Sequence, residues 1–167
     1  VETLAPEIPF PFPWPIVEFF YVFSECVQLD APPLRALEVA ADTTFDLVIL
    51  TYQVWYLSPA LPMTAFLKSE EGRKLIDGKP VITLVACRNM WLSAQETMKQ
   101  LIAGAGGRLI DHLAFTDQGH PLATFITTPR WVWTGKKNSF LGLPPAGVSP
   151  EEIRQASRFG LALADGL

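Results

Sequence analysis

The apolar positions form two unbroken runs with mixed segments around them. Phe45 to Thr51 (FDLVILT) carries one charge, Asp46, and Pro80 to Cys87 (PVITLVAC) carries none. Apolar runs without alternation predict strands covered on both faces, as in a parallel sheet. A helix is expected after each. After the first, Pro62 suits a first helical turn that Thr64 to Leu67 continues. After the second, Ser93 and Glu96 read as an S-x-x-E capping box for a helix over Ala94 to Ala103, ended by Gly104, Gly106 and Gly107. Arg108 to Phe115 is a further strand. The order β-α-β-α-β with short links implies right-handed crossovers and an α/β fold, a parallel sheet with helices on both faces.

The remaining segments are less regular. Val1 to Leu4 reads as the tail of a strand that Pro6 ends. Proline at every second position from Pro9 to Pro15 forbids helix and favours an extended backbone. Ile16 to Phe23 fits one short amphipathic helix, and Asp30 to Pro33 a loop. Ala123 to Trp133 is β-prone and aromatic, so an extended segment or hairpin arm is expected there. Ser149-Pro150-Glu151-Glu152 is a helix start, with the helix running to about Ala164.

The 167 residues fit a single domain, 1–167, with a Pro/aromatic insertion over 8–35 and another over 118–148. Hydrophobic residues make up 49% and mean hydropathy is +0.23, enough for a sizeable core or a greasy binding surface. The net charge of −4 with no Lys/Arg-rich run argues against nucleic acid as a partner. Cys26 and Cys87 have no metal-ligand spacing and read as reduced buried thiols. No secretory leader is legible, and the greasiest stretch, Pro9 to Phe23, is broken by prolines and Glu18. A cytoplasmic location is the expectation.

In open parallel sheets ligands bind beyond the carboxyl ends of the strands. Two segments are expected there: Thr51 to Pro59, containing Tyr52, Gln53, Val54, Trp55 and Tyr56, and Cys87 to Leu92, containing Arg88, Asn89, Met90 and Trp91. Aromatics at such an edge suit a flat, stackable ligand; the alternative is that they only cap the sheet. FDLVILTYQVWYLSPALPMTAFL resembles the third strand and flavin loop of flavodoxin-like proteins, and KPVITLVACRNMW resembles their fourth strand and its loop. The likeness extends to PFPFPWP, TTPRWVWTGKK and the final helix. It is nearest to flavodoxin-like proteins known as dialkylresorcinol condensing enzymes of bacterial dialkylresorcinol and aryl-polyene pathways.

That resemblance implies a three-layer sheet of order 2-1-3-4-5 and FMN as cofactor. Tyr52 to Tyr56 would flank the isoalloxazine ring, and the backbone of Cys87 to Trp91 would meet its pyrimidine edge. Two departures stand out. Gln53 replaces the usual loop proline. The Ser/Thr- and Gly-rich phosphate loop has no counterpart, since Gly72, Gly78 and Gly104 to Gly107 all read as helix C-terminal glycines. If Val1 to Leu4 is the second strand, the sheet lacks its first strand, phosphate loop and first helix.

Other candidates carry a bland reading beside a functional one. His112 reads as a structural strand residue. His120, near Asp117, suits a turn or an acid/base role, and Asp111 and Asp117 read as solvated strand-end charges. Arg88 can face a flavin carbonyl, a substrate anion or a surface partner. Lys136-Lys137 can meet a pyridine-nucleotide phosphate or stay solvated. No catalytic base and no metal site can be named. Phe10, Phe12, Trp14, Phe19, Phe20, Tyr21 and Phe23 can form a lid, a homodimer interface or an alkyl channel. The implied function is an FMN-dependent oxidoreductase that dehydrogenates and aromatises a cyclic dione. It would work on an apolar or aromatic small molecule with NAD(P)H or an electron-transfer protein as redox partner. A one-electron carrier and a flavin-free interaction module are the alternatives.

Overall fold

A computed structural model describes residues 1–40 and 42–166. Along the chain these form α1 (Ile16–Gln28), β1 (Val48–Trp55), β2 (Ser58–Pro59), α2 (Leu61–Lys68), α3 (Glu70–Ile76) and β3 (Pro80–Cys87). Then follow α4 (Leu92–Gly104), β4 (Arg108–Thr116), α5 (Pro121–Thr134), α6 (Pro150–Gln155) and α7 (Ser157–Gly166).

The four strands lie in the order β2-β1-β3-β4. β1 runs parallel to β3 from Val48↔Val81 to Gln53↔Ala86, and β3 parallel to β4 up to Cys87↔Thr116. β2 pairs antiparallel only with the end of β1, at Val54 and Trp55. From Val48 to Gln53 the outer edge of β1 meets no other strand among the described residues. The architecture is the expected α/β one: a mostly parallel open sheet between helices, a flavodoxin-like three-layer arrangement that lacks a strand.

Strand alternation divides the side chains between two faces. Leu50, Tyr52, Val81 and Val85 point to the face covered by Met63, Phe66 and Leu67 of α2 and by Met98 and Ile102 of α4. Burying each of these large side chains contributes about 1.5–3 kcal/mol. Gln53, Leu84, Ala86 and Phe115 point to the second face, where α5 and the Pro/aromatic segment stand across a cavity. A smaller cluster, Val22, Cys26 and Leu61, joins α1 to α2 and is lined by Phe10, Trp14, Trp55 and Tyr56.

Several expectations are corrected. The first strand starts at Val48 and continues to Trp55, and β2 takes Ser58 and Pro59, so all of the expected aromatic loop except Tyr56 and Leu57 is strand. The ladder to β3 carries Tyr52 and Gln53 with it, and β-prone Val54 and Trp55 extend it into a hairpin. Val1 to Leu4 forms no strand: among the described residues the nearby bridge joins Pro6 to Leu34, and the Glu2 carboxylate instead accepts the N–H groups of Glu38 and Val39. Helix α1 runs on to Gln28, where Leu29 in the left-handed region caps it. Helix α4 starts at Leu92 without a side-chain cap, which puts Ser93 inside the first turn. Glu96 then pairs with Lys99 at 2.6 Å rather than completing a capping box.

Ala123 to Trp133 is helical, within α5. Pro121 opens it, the N–H of Leu122 donates to His120 Nδ1, and Gly135 at φ 72° closes it. These end signals outweigh local β propensity, and Thr124 and Thr127 hydroxyls return to the carbonyls of Pro121 and Ala123. Gly72 lies in the first turn of α3 rather than at a C-terminal end. A Cβ there would sit 1.9 Å from the Phe66 carbonyl oxygen, so only glycine fits. The Ser149 capping box forms as expected, but the last helix breaks at Ala156 into α6 and α7.

The β1–β2 hairpin turns on Tyr56 and Leu57, both at positive φ (49° and 64°). A two-residue hairpin with a type I′ turn demands this of both positions, which bulky residues normally avoid. Tyr56 is held there by its hydroxyl, which donates to the Phe19 carbonyl, and by its ring against Phe19 and Phe23. Leu57 is 46% exposed and has no such anchor. Leu57→Gly is therefore expected to raise stability by about 0.5–1 kcal/mol through relief of left-handed strain. A urea midpoint that rises with unchanged slope checks this; a lower midpoint refutes it.

Candidate active site

The cavity on the second face has a volume of about 780 Å³, within the ~300–1,000 Å³ range of small-molecule sites. Its floor is the carboxyl end of the sheet: Gln53 on β1, Leu84 and Ala86 on β3, Phe115 on β4. One wall is Phe10, Trp14 and Trp55. Phe10 and Trp14 meet the Trp55 ring edge-to-face at 5.0 and 5.5 Å, so the Pro/aromatic segment packs as a cover over the hairpin. The N–H of Trp14 donates to the Val132 carbonyl at 2.9 Å, tying that cover to α5. Thr128, Trp131 and Val132 of α5 also line it. A second hollow of about 530 Å³, under residues 31–40, has no aromatic in its lining.

The expected site residues divide between the cavity and the rest of the fold. Gln53, Val54, Trp55, Tyr56, Cys87 and Arg88 line the cavity. Tyr52 points the other way, is 5% exposed, and donates its hydroxyl to Gln95 Oε1 at 2.8 Å. Asn89 and Met90 are exposed in the turn before α4 and do not line the cavity. Trp91 packs against the first-face core, its ring centroid 5.2 Å from that of His112. Phe115, Asp117, Thr128, Trp131 and Lys137 are cavity residues that sequence reasoning did not place there. Parity alone separates Tyr52 from Gln53. Nothing local to Thr128 or Trp131 signals the cavity, because their place follows from α5 being a helix.

Burial sets the protonation of the thiols. It pushes Cys87 up to about 11, and Cys26, 0% exposed and beside Glu25, up to about 12. Burial therefore holds Cys87 as a neutral thiol at neutral pH. Burial likewise raises Tyr52, with the neighbouring Cys87 adding to it, so its hydroxyl stays a donor. The unfolded chain releases thiol protons near 9 while the folded chain holds them to 11–12. Between these values the unfolded state binds fewer protons, so stability is full below pH 9 and falls as pH rises through that window. Urea midpoints at pH 8 and pH 10 check this, with Cys26→Ala expected to flatten the decline; equal midpoints would contradict it.

His120 is spent as the cap of α5, and the Asp111 carboxylate accepts the N–H of His112. Both oxygens of Asp117 are occupied, Oδ1 by the Gly119 N–H at 2.8 Å and Oδ2 by the Gly147 N–H at 2.6 Å. Among the described residues no cluster of His, Cys, Asp or Glu could hold a metal ion, and no helix is long and apolar enough to cross a membrane. Comparison with protein-family models, with curated proteins and with solved structures returns no match.

A flavin has two parts to accommodate. The ring system fits what is present: volume, aromatic faces in Trp55, Trp131 and Phe115, and polar groups at Gln53 and the β3 end. Gln53 Oε1 accepts from Trp55 Nε1 at 3.4 Å, which leaves the Gln53 amide N–H groups to donate to a ligand. The phosphate finds no glycine-rich cradle among the described residues; Arg88 and Lys137 are the cations on the cavity.

Proposed function

We propose that this domain holds a flavin, FMN, by its ring in the second-face cavity and serves as an oxidoreductase for an apolar cyclic substrate. The observation that carries the reading is the aromatic-walled cavity at the carboxyl end of a mostly parallel sheet, where α/β sheets bind planar cofactors. The flavin, when bound, supplies the hydride chemistry. The chain's own part is to sandwich the ring between Trp55 and the α5 wall and to exclude water with Phe10 and Trp14. Gln53 and the main chain at Cys87 and Arg88 offer polar partners to its edge. The resemblance to dialkylresorcinol-pathway proteins makes a cyclic dione, dehydrogenated to an aromatic ring, the proposed substrate.

The test is titration of the chain with riboflavin, which presents the ring without a phosphate. The reading predicts saturable quenching of flavin fluorescence together with quenching of tryptophan emission. A second reading, a flavin-free module that binds an apolar ligand in the same cavity, is favoured by the missing phosphate cradle. It predicts no flavin quenching but saturable binding of a neutral apolar aromatic such as 2-naphthamide.

A further inference from the structure

Helix α1 spends one side on its own domain and leaves another open. Val22 and Cys26 are buried and pack with Leu61. About a third of the way around the helix from them run Ile16, Phe20, Phe23 and Val27, each at least half exposed. Their spacing of four, three and four residues is that of a helix-pairing seam. The two seam rings are already seated from below. Phe20 meets Phe19 edge-to-face at 5.4 Å, and Phe23 meets Tyr56 at 5.2 Å. Side chains ordered before contact lose less freedom on binding.

The seam reads almost the same in both directions: a β-branched residue at each end and two phenylalanines between. An isologous interface needs this kind of self-complementary surface. The charges of α1 agree with it. Glu18 and Glu25 are its charged residues, and both lie on the side opposite the seam. The flanking positions, Val17, Phe19, Ser24 and Cys26, are uncharged, so two copies meet with no like charges opposed. Antiparallel pairing also sets the helix dipoles head to tail.

The area suffices for a reversible dimer. With Val17, the seam side chains expose roughly 550 Å², at the upper end of the largest apolar patch on a typical monomer. Two copies joined there would bury about 1,100 Å² in all, just past what a specific interface needs. An anionic lipid surface fits less well, because α1 carries no Lys or Arg and the chain's net charge is −4.

We propose that α1 pairs antiparallel with α1 of a second copy of this chain, Ile16 against the partner's Val27 and Phe20 against the partner's Phe23. No seam residue lines the cavity, so the dimer stands or falls independently of any flavin.

The test is sedimentation velocity of the chain from about 1 to 200 µM, a range set by the small interface. A reversible monomer–dimer equilibrium is expected. Phe20→Glu should stay monomeric throughout, and Phe20→Ser should weaken the dimer about tenfold or more, as loss of a buried aromatic anchor does. Tyr21→Glu, one residue on but off the seam, should dimerise like the parent chain. Phe20 is exposed, so both Phe20 variants should keep the parent's circular dichroism at low concentration. For orientation, Ile16→Cys/Val27→Cys should oxidise to a cross-linked dimer, while neither single variant does. The proposal is overturned by a monomer at every concentration, by a dimer that survives Phe20→Glu, or by equal losses in Phe20→Glu and Tyr21→Glu. Cross-linking of each single cysteine variant would overturn the antiparallel arrangement. A monomer that floats with phosphatidylcholine vesicles, and ceases to in Phe20→Glu, would assign the face to lipid instead and overturn the dimer.

Discussion

Trp55→Ala is expected to weaken riboflavin binding by about 10–100-fold, roughly 1.4–2.7 kcal/mol. Trp55 lies at the cavity end of β1, and both Phe10 and Trp14 rest edge-to-face on its ring. Its removal deletes one stacking surface and takes away what seats the aromatic cover, so ring contact and water exclusion fail together. An aromatic pair contributes about 0.5–1.5 kcal/mol beyond its area, and the lost ring area adds to that. Trp91→Phe is the matched control, because Trp91 packs on the first-face core and not in the cavity. Its affinity should stay unchanged. Equal losses in the two variants, measured by fluorescence titration, would mean that Trp55 is not a wall of the ligand site.

Gln95→Leu is expected to cost about 2–4 kcal/mol of folding stability. Gln95 is 2% exposed and sits under the sheet between two buried hydroxyls. Its Oε1 accepts from Tyr52 at 2.8 Å, and its Nε2 donates to Thr83 Oγ1 at 3.1 Å. Leucine preserves volume but leaves both hydroxyls unsatisfied, each at about 1–3 kcal/mol. Replacing all three groups with apolar isosteres removes the orphans, so Tyr52→Phe/Thr83→Val/Gln95→Leu should recover most of the loss in urea denaturation. A triple variant as unstable as Gln95→Leu alone would show that packing, not hydrogen bonding, sets the cost. The triad also explains why a tyrosine expected beside a ligand works instead as a buried tie between β1, β3 and α4.

The contrast between Tyr52 and Gln53 shows how far the sequence carries. The run from Pro80 to Cys87 declares itself because every position is apolar or β-branched, and the observed β3 matches it. The start of α6 is equally legible, since a capping box is a local device. The extension of β1 to Trp55 was not, because a strand's length is set by the ladder it joins and not by its own residues. Helix α5 was missed for the opposite reason: its composition favours strand, while its end signals, His120-Pro121 and Gly135, are single residues. That one misreading hid Thr128 and Trp131, and with them a whole wall of the cavity. The aromatic cover was legible as an anomaly, too many rings for a linker, but its docking on Trp55 depends on a long-range contact that no local pattern encodes.

The most direct test of the central claim is a crystal structure of the chain soaked with lumiflavin, the bare flavin ring. The account predicts a flat tricyclic ring on the second face of the sheet, bounded by Trp55, Phe115 and Trp131. A ring bound elsewhere, or a cavity closed by inward movement of Phe10 and Trp14, would contradict it.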